Sequence, residues 1–453
     1  MRINWFSPLP PARSGIARCT SDLLPAMRKQ ADVVVWTDQE MWETDLGAQN
    51  RVCRFDPQRP SWPNLHKADV SIYNIGNNVD FHSGIWELSR QMPGIVILHD
   101  TCLQHLFAAH YLEKRKDREG YIRQMMRHYG DAGRHTAMAL IDGAGSTDAL
   151  AIAFPLTALA IEGALGVVVH TLPALRTVSQ MSNRPVLYAP LPYQPASEQT
   201  RQQWAEFSQQ RRRPPYKIVV FGYLGPNRRL EPILRALSEW PGRAQFRLSI
   251  YGTVWDPAHV RKMIHSFDLD SLVEIHGHAE DLDRALADAD LALNLRYPTM
   301  GEASFTQLHL WDHAIPTMVT KIGWYATLPD DAVLFVRPEA EVEDVQAGLQ
   351  SFLDNAQNLS RMGERGRQIL DADHNPEQYA ASLIAFVPQA LRQYPRTAAL
   401  SLTDRIAAEL NRWAPVYAGN EPDHFAKLIA PLAGVRETVE SDVEKALAGD
   451  NCK

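Results

Sequence analysis

The stretch KIVVFGYLGPNRRL, residues 217–230, decides the fold class of this chain. After Lys217, residues 218–221 are a short apolar run rich in β-branched side chains, which predicts a buried β-strand over 217–221. Gly222 and Gly225 follow and permit a tight turn, and Leu230 opens a helical pattern. A strand that passes through a glycine loop into a helix is the repeating unit of a parallel sheet covered by helices on both faces.

The same unit recurs along most of the chain. Predicted strands before residue 200 cover residues 2–5, 32–36, 70–74, 95–99, 167–170 and 185–188. Those after residue 215 cover residues 217–221, 245–251, 273–276, 291–295, 316–320 and 332–336. The alternation predicts an α/β protein with two Rossmann-like parallel-sheet domains, because 453 residues exceed what one core normally holds.

Changes in composition suggest the domain boundaries. We predict a first domain over residues 1–200, with a helical insertion at about 103–161. A polar linker over residues 201–215 leads to a second domain over residues 216–395. Amphipathic patterns at 402–413 and 435–447 predict a helical segment over residues 396–453, which packs on the first domain or mediates association.

Charge and cysteine content exclude several classes of protein. The net charge of −7 argues against a protein that coats nucleic acid. The four cysteines lack metal-ligand spacing and indicate reduced thiols in the cytosol. The first residues lack the apolar stretch of a signal peptide, and Pro155 and Glu162 interrupt the most apolar segment. We therefore expect a cytoplasmic protein.

Polar residues follow several predicted strands of the first domain, where ligands of open parallel sheets bind. Ser14 and Gly15 follow the first strand, and Asn77 follows the third. His99 and Asp100 end the fourth strand, and His170 ends the fifth. Ordinary structural roles remain open for each: a helix cap for Ser14 or Asp100, and a satisfied buried imidazole for His99.

The second domain offers two loops suited to phosphate. Gly222, Tyr223, Asn227 and Arg228 lie in the first loop, where arginine suits a diphosphate. The second loop places small residues and hydroxyls before a helix, and so offers amides to phosphate oxygens. Its candidates are Gly301, Glu302, Ala303, Ser304, Phe305 and Thr306. The alternatives are solvated arginines and a Ser304 that only caps the helix.

Two further loops are candidates for a nucleobase pocket: Tyr251 with Gly252, and His276 with Gly277. His276 and His278 lack a third ligand at a recognisable spacing, so we expect no metal.

Taken in order, these loops form a pattern. FSPLPP (6–11), SGIA (14–17), YNIGNN (73–78), VILHD (96–100), FGYLGPNRRL (221–230), LRYPTMGE (295–302) and GW (323–324) span nearly the whole chain before residue 395. The chain resembles glycosyltransferase family 4, which comprises retaining enzymes of the GT-B fold and includes bacterial polysaccharide and lipopolysaccharide transferases. The resemblance implies two Rossmann-like domains facing across a cleft, with C-terminal helices.

The resemblance also implies residue roles. Gly15 would face the donor diphosphate, and Arg228 stands where the family usually has a lysine that neutralises the leaving diphosphate. Tyr223 replaces a family arginine, for which Arg229 or Arg296 would compensate. Glu302 is followed by His309 rather than by a second glutamate. The resemblance assigns catalysis to His99, Arg228 and Glu302, and sugar or acceptor contacts to Ser14, Asn77, Asp100 and His170.

The implied activity is a metal-independent, hexosyltransferase-like reaction without a cofactor. It would move a sugar from a nucleoside-diphosphate sugar to a glycan or lipid-linked acceptor. The basic run at 114–118 would contact an anionic acceptor or the membrane surface, or be an ordinary solvated helix. The alternative functions are a nucleotide-sugar epimerase on the same fold and a catalytically silent scaffold that binds sugar nucleotides.

Overall fold

Two parallel β-sheets form the framework of the protein, seen here in a computed structural model that describes residues 1–49, 51–279 and 281–413. The first sheet has seven strands: β1 (Arg2–Phe6), β2 (Asp32–Thr37), β3 (Arg51–Arg54), β4 (Val70–Ile75), β5 (Ile95–Leu98), β6 (Gly166–Val169) and β7 (Val186–Tyr188). The second has six: β8 (Tyr216–Leu224), β9 (Phe246–Val254), β10 (Val273–Gly277), β11 (Leu291–Asn294), β12 (Thr317–Thr320) and β13 (Leu334–Val336).

The strand order places a ligand crevice in each sheet. The orders are β3-β2-β1-β4-β5-β6-β7 and β10-β9-β8-β11-β12-β13, and the pairings are parallel. The chain direction across the sheet reverses between β1 and β4, and again between β8 and β11. Loops beyond the carboxyl ends of strands at such a reversal form the binding crevice of open α/β sheets.

The predicted strands are all present, with shifted ends and one addition. The edge strand β3 was missed because its sequence, RVCR, is charged at both ends and only partly buried. Strands β8 and β9 extend three residues past their predicted ends. They bend together at the paired Gly222 and Gly252, whose φ angles are 115° and 109°. A side chain at position 252 would overlap the Gly222 carbonyl, so the bend requires glycine.

Helices connect and cover the strands. Those before β8 are α1 (Gly15–Arg28), α2 (Thr44–Gln49), α3 (Trp62–Leu65), α4 (Val79–Gln91), α5 (Gln104–Ala109), α6 (Arg118–Ile141), α7 (Thr147–Ala153), α8 (Thr157–Ala160), α9 (Leu172–Met181) and α10 (Glu198–Arg211). Those after β8 are α11 (Leu230–Glu239), α12 (Pro257–Ser266), α13 (Leu282–Leu286), α14 (Phe305–Asp312), α15 (Glu341–Asp354), α16 (Ala356–Asp373), α17 (Pro376–Leu391) and α18 (Tyr394–Trp413).

The predicted insertion at 103–161 is helical but broken into several pieces. A π-helical turn, His110–Lys114, joins α5 to the segment before α6, and α6 itself is interrupted at Gly130 (φ 62°, ψ −148°). The predicted helix at 402–413 is the second part of α18, whereas the one at 435–447 lies outside the described residues. None of the described helices is long and apolar enough to cross a bilayer.

Two segments differ from their predicted roles. Residues 198–211 form helix α10 rather than an extended linker, and Arg201 in this helix is buried. This helix was not predicted because its sequence has little apolar periodicity. Ion pairs, rather than an apolar face, fix it to the rest of the protein. Helix α17, predicted within the second domain, packs on the first sheet through Tyr379, Leu383 and Phe386. An apolar helix face does not by itself identify the sheet that it covers.

Candidate active site

A cleft of about 760 Å³ lies between the two sheets, at the carboxyl ends of strands from both domains. It is bordered by loops after β1, β4, β5, β8 and β11, so both strand-order reversals contribute. The structure brings most of the predicted residues together here: Ser14, Gly15, Asn77, His99, Asp100, His170, Tyr223, Asn227, Arg228, Glu302, Ala303, Ser304, Phe305 and Thr306. Their roles stay predictions, whereas the structure shows that they lie together in one cleft.

The residues predicted to form a base pocket do not line this cleft. Tyr251 stacks on His276, with 4.5 Å between ring centroids, and the His276 ring contacts the Ser249 hydroxyl. Gly252 instead forms the strand bend with Gly222, which also lies outside the cleft lining. Gly277 has a φ of 70° and is likewise absent from the lining. These residues lie outside the cleft lining, and their base-binding role stays a prediction.

Gly301 lies at the contact between the two domains rather than in the cleft lining. Its φ is 83°, and a side chain there would overlap Thr101. The neighbouring Met300 carbonyl accepts hydrogen bonds from the backbone N–H groups of Thr101 (2.8 Å) and Cys102 (2.9 Å). Gly301 therefore permits a close approach of the two domains. The sequence suggested donor binding for this glycine and gave no sign of the contact between domains.

Arg228 is a buried cation at the cleft. Its side chain is only 2% exposed, and one guanidinium nitrogen donates to the Phe221 carbonyl at 3.0 Å. Its Nε has no hydrogen-bond partner among the described residues. Burial, reinforced by the neighbouring Arg296, lowers the pKa of Arg228 to about 10, so it remains cationic at neutral pH. An incompletely paired buried guanidinium is suited to an anionic ligand.

The other two arginines near this loop are already paired. Arg229 holds Glu341 of α15 with Nε at 2.8 and 2.9 Å from the two carboxylate oxygens. Arg296 forms an ion pair with Glu302. Burial alone would lower the pKa of Arg296, but the Glu302 carboxylate more than offsets this effect and raises it. Arg229 is therefore no free replacement for the cation that Tyr223 does not supply, whereas Arg296 lines the cleft and its Nε has no hydrogen-bond partner within the described residues.

Glu302 holds the shape of its own loop. Its Oε2 accepts hydrogen bonds from the Met300 N–H at 2.7 Å and from the Thr299 hydroxyl at 3.0 Å. With Arg296 on its other side, this carboxylate is engaged within the protein. In the structure it positions the loop between β11 and α14.

The N-terminus of α14 faces the cleft. Ser304 caps the helix by accepting from the Gln307 N–H at 3.1 Å, and the Asn294 amide contacts both residues. The first amides of a helix lack partners within it, and the dipole makes this end positive. Gly15 of the first domain approaches Phe305 closely across the cleft, since a Cβ on Gly15 would lie 3.6 Å from the Phe305 Cβ. The cleft is therefore narrow beside an anion-binding helix end.

Three neutral histidines occupy the first-domain wall. The Asn74 amide donates to the Phe6 carbonyl, so its oxygen accepts from Nε2–H of His99 at 2.9 Å. His82 and His170 donate from Nδ1 to backbone carbonyls, each at 3.0 Å. Burial lowers the pKa of His82 and His170 to about 4, and that of His99 well below its usual value. Each ring therefore keeps one nitrogen as an acceptor, suited to a sugar hydroxyl.

Asp100 organises the neighbouring loop rather than capping the insertion helix. Its carboxylate accepts from the Asn77 N–H at 2.8 Å, whereas Leu103 precedes α5. Burial, together with the nearby Glu302, raises the pKa of Asp100 to about 7. The side chain of Asn77 contacts His105, whose other ring nitrogen lies 2.8 Å from Asp148.

Sequence reasoning missed several residues that line the cleft, most clearly Trp255, His105 and Asp148. Trp255 is 63% exposed and Tyr223 is 65% exposed, so two large aromatic rings stand at the mouth. Trp255 directly follows the observed end of β9 at Val254, and a strand predicted to that length would have made it a candidate. His105 and Asp148 come from the insertion, and no local pattern could have placed them.

One group of metal-ligand side chains lies close together within the described residues: Asp283, His309 and His313. None of the three lines the cleft. The spacing of four residues between His309 and His313 is the sequence signal for this group, and His276 and His278 do not belong to it.

No protein-family model and no curated protein sequence matches this chain. Solved structures do resemble it. HepE of Anabaena, crystallised with UDP and glucose, shares 13% identity and a TM-score of 0.59, over 86% of this chain and 99% of that one. Sucrose-phosphate synthase of Thermosynechococcus elongatus shares 14% identity and a TM-score of 0.56, over 86% and 99%.

WaaG, a glycosyltransferase involved in lipopolysaccharide biosynthesis, shares 15% identity and a TM-score of 0.54, over 84% of this chain and 98% of that one. These similarities extend over both domains, and they agree with two parallel sheets that face each other across a cleft. The chain therefore has the GT-B fold.

Proposed function

We propose that this protein is a retaining glycosyltransferase of the family 4 type. It moves a sugar from a nucleoside-diphosphate sugar to a hydroxyl of a glycan or lipid-linked acceptor. The observation that carries the proposal is the buried, incompletely paired Arg228 in the same cleft as the N-terminus of α14. The shared fold with HepE, which was crystallised with UDP-glucose, supports the choice of donor class.

The reaction places new negative charge on the departing diphosphate. Arg228 and the first amides of α14 stabilise that charge, and because they are already oriented they favour the transition state over the ground state. The leaving phosphate takes the acceptor proton. His99 orients a sugar hydroxyl with Nδ1 as the acceptor, and Asn77 does so with its amide. No metal ion or cofactor takes part in this step.

The acceptor binds on the first-domain side, near Ser14, Asp100 and His170. The basic run at 114–118 is a weaker candidate for this contact because its charge is balanced within the fold. Lys114 lies 3.7 Å from Asp80, and Arg115 is paired with Glu87. The proposed acceptor contact therefore does not include that segment.

The test is incubation of the protein with a panel of UDP, GDP and ADP sugars, with and without acceptor glycans. A transferase releases nucleoside diphosphate and forms a glycoside in an acceptor-dependent manner. An epimerase converts the donor without transfer product, and a scaffold binds donor without turnover. Either of the last two results would overturn the proposal.

Replacement of Arg228 tests its assigned role. Arg228→Ala should lower kcat by about 10²–10³-fold, the usual cost of losing one group that stabilises transition-state charge. Arg228→Lys should retain part of the rate. The matched control is Arg235→Ala, since Arg235 is exposed and pairs with Glu231 one turn away. Steady-state kinetics and circular dichroism of all three variants separate a catalytic loss from misfolding, and full activity in Arg228→Ala would refute the assignment.

A further inference from the structure

A cluster of three metal-ligand side chains lies on two adjacent helices of the second domain. Asp283 belongs to α13, His309 belongs to α14, and His313 follows directly after α14. Nε2 of His309 lies 2.6 Å from Oδ1 of Asp283, and Nε2 of His313 lies 3.1 Å from the same oxygen. The possible ligand atoms of the three residues all lie within 4.8 Å of one another.

These distances are close to those of a bound zinc ion. Zinc binds histidine nitrogen and carboxylate oxygen at about 2.0–2.2 Å, which places two ligands of a tetrahedral site about 3.3 Å apart. The two nitrogen–oxygen separations therefore need only small changes, and the two histidine nitrogens, which lie within 4.8 Å of each other, need to approach by at most about 1.5 Å. His309 and His313 are four residues apart, so they project from the same face of the helical turn.

The surroundings orient the ligands and favour a cation. Trp204 stacks on the His313 ring, with 3.6 Å between centroids and 14° between planes. The two histidines lie in the last turn of α14, where the helix dipole is negative.

We propose that Asp283, His309 and His313 bind one zinc ion, with water as the fourth ligand. The inference goes beyond the proposed function, because none of these residues lines the cleft and the ion takes no part in sugar transfer. It ties α13 to the C-terminal end of α14, whose opposite end borders the cleft. Nδ1 of His313 has no hydrogen-bond partner in the described part of the chain, so we expect an affinity about 10–100-fold below that of a site with a complete second shell.

The test uses the full chain without an affinity tag, freed of metal with a chelator. Zinc titration by calorimetry, with metal content measured by mass spectrometry, should give one zinc per chain and a higher Tm. Cobalt as a probe should give the visible absorption bands of a tetrahedral nitrogen and oxygen site. Asp283→Asn and His309→Gln should each weaken zinc binding by about 10-fold or more, a loss at least as large as that for an outer-shell partner.

His265→Gln is the matched control, because it removes an exposed histidine that pairs with Asp270 and should not change zinc binding. Circular dichroism of each variant confirms that it is folded. No zinc binding by the wild-type chain, or equal binding by the wild type and both ligand variants, would show that the cluster is only a hydrogen-bonded contact between helices. UDP binding measured on the same samples is independent of this outcome, so a failed zinc site leaves the proposed function intact.

Discussion

Asp100 and the histidines beside it have pKa values displaced in opposite directions. The raised pKa of Asp100, about 7, means that the folded state holds its proton more tightly than the unfolded state does. Its contribution to stability is therefore lost as the pH rises from about 4 to about 7. His82 and His170, with pKa values lowered to about 4, bind protons more tightly when unfolded. Their effect is a loss of stability as the pH falls from about 6.5 to about 4.

Asp100→Asn should remove the contribution of Asp100 to the pH dependence of stability, so that the opposite contribution of the histidines is no longer offset. We expect the free energy of unfolding to rise with pH more steeply in this variant than in the wild type, by at least about 1 kcal/mol between pH 4.5 and pH 6.5. Urea denaturation at several pH values provides the measurement. Asp330→Asn, at an exposed position, is the control. Equal slopes in Asp100→Asn and wild type would mean that the Asp100 carboxyl is not perturbed.

Residue types at strand ends were predictable, but their partners were not. His99, Asp100 and Asn77 could be selected because parallel strands gather their carboxyl ends at one edge. That Asp100 accepts from Asn77, or that Arg229 is held by Glu341, depends on residues distant in sequence. For this reason Arg229 remained a candidate for the diphosphate until the fold was known.

At the scale of elements, helix α10 is joined to the second domain by a buried ionic network. Arg201 is 5% exposed, donates to Asp312 at 2.6 Å, and contacts both oxygens of Asp371 at 2.8 and 3.0 Å. Asp312 also accepts from the Tyr193 hydroxyl and the Ala196 N–H. The segment after the first domain is thus fixed to α14 and α16.

Arg201→Ala should lower the free energy of unfolding by about 3–5 kcal/mol, because Asp312 would remain buried without its cation. Urea denaturation measures the change. Arg211→Ala, at the exposed end of the same helix, should alter stability by no more than about 0.5 kcal/mol. A similarly small change for Arg201→Ala would show that the segment behaves as the linker suggested by its composition.

At the scale of the whole molecule, helix α17 links the two halves of the chain. It follows the second sheet in sequence, but Tyr379, Leu383, Phe386 and Val387 are buried in the core of the first. Phe386 lies directly against Gly166 of β6. The first domain is therefore completed by residues more than 170 positions after its last strand.

Leu383→Ala should destabilise the first domain by about 2–5 kcal/mol, the usual cost of emptying a fully buried leucine site. Hydrogen exchange should show the loss of protection in β1 and β6 before β8 and β9, because the cavity lies beside the first sheet. Ser382→Ala, on the exposed face of the same helix, is the control. Loss of protection confined to the second sheet would contradict the packing of α17.

The α/β class, the two parallel sheets and most of the loops that border the cleft could be predicted from the residues alone. These features follow from local signals: apolar runs, glycine turns and polar residues at strand ends, all readable within a few neighbouring residues. Only the fold shows which arginines keep unpaired donors at the cleft, which sheet α17 covers, and which histidines converge on Asp283. Such outcomes depend on burial and on partners far apart in the chain, and a local pattern carries no information about either.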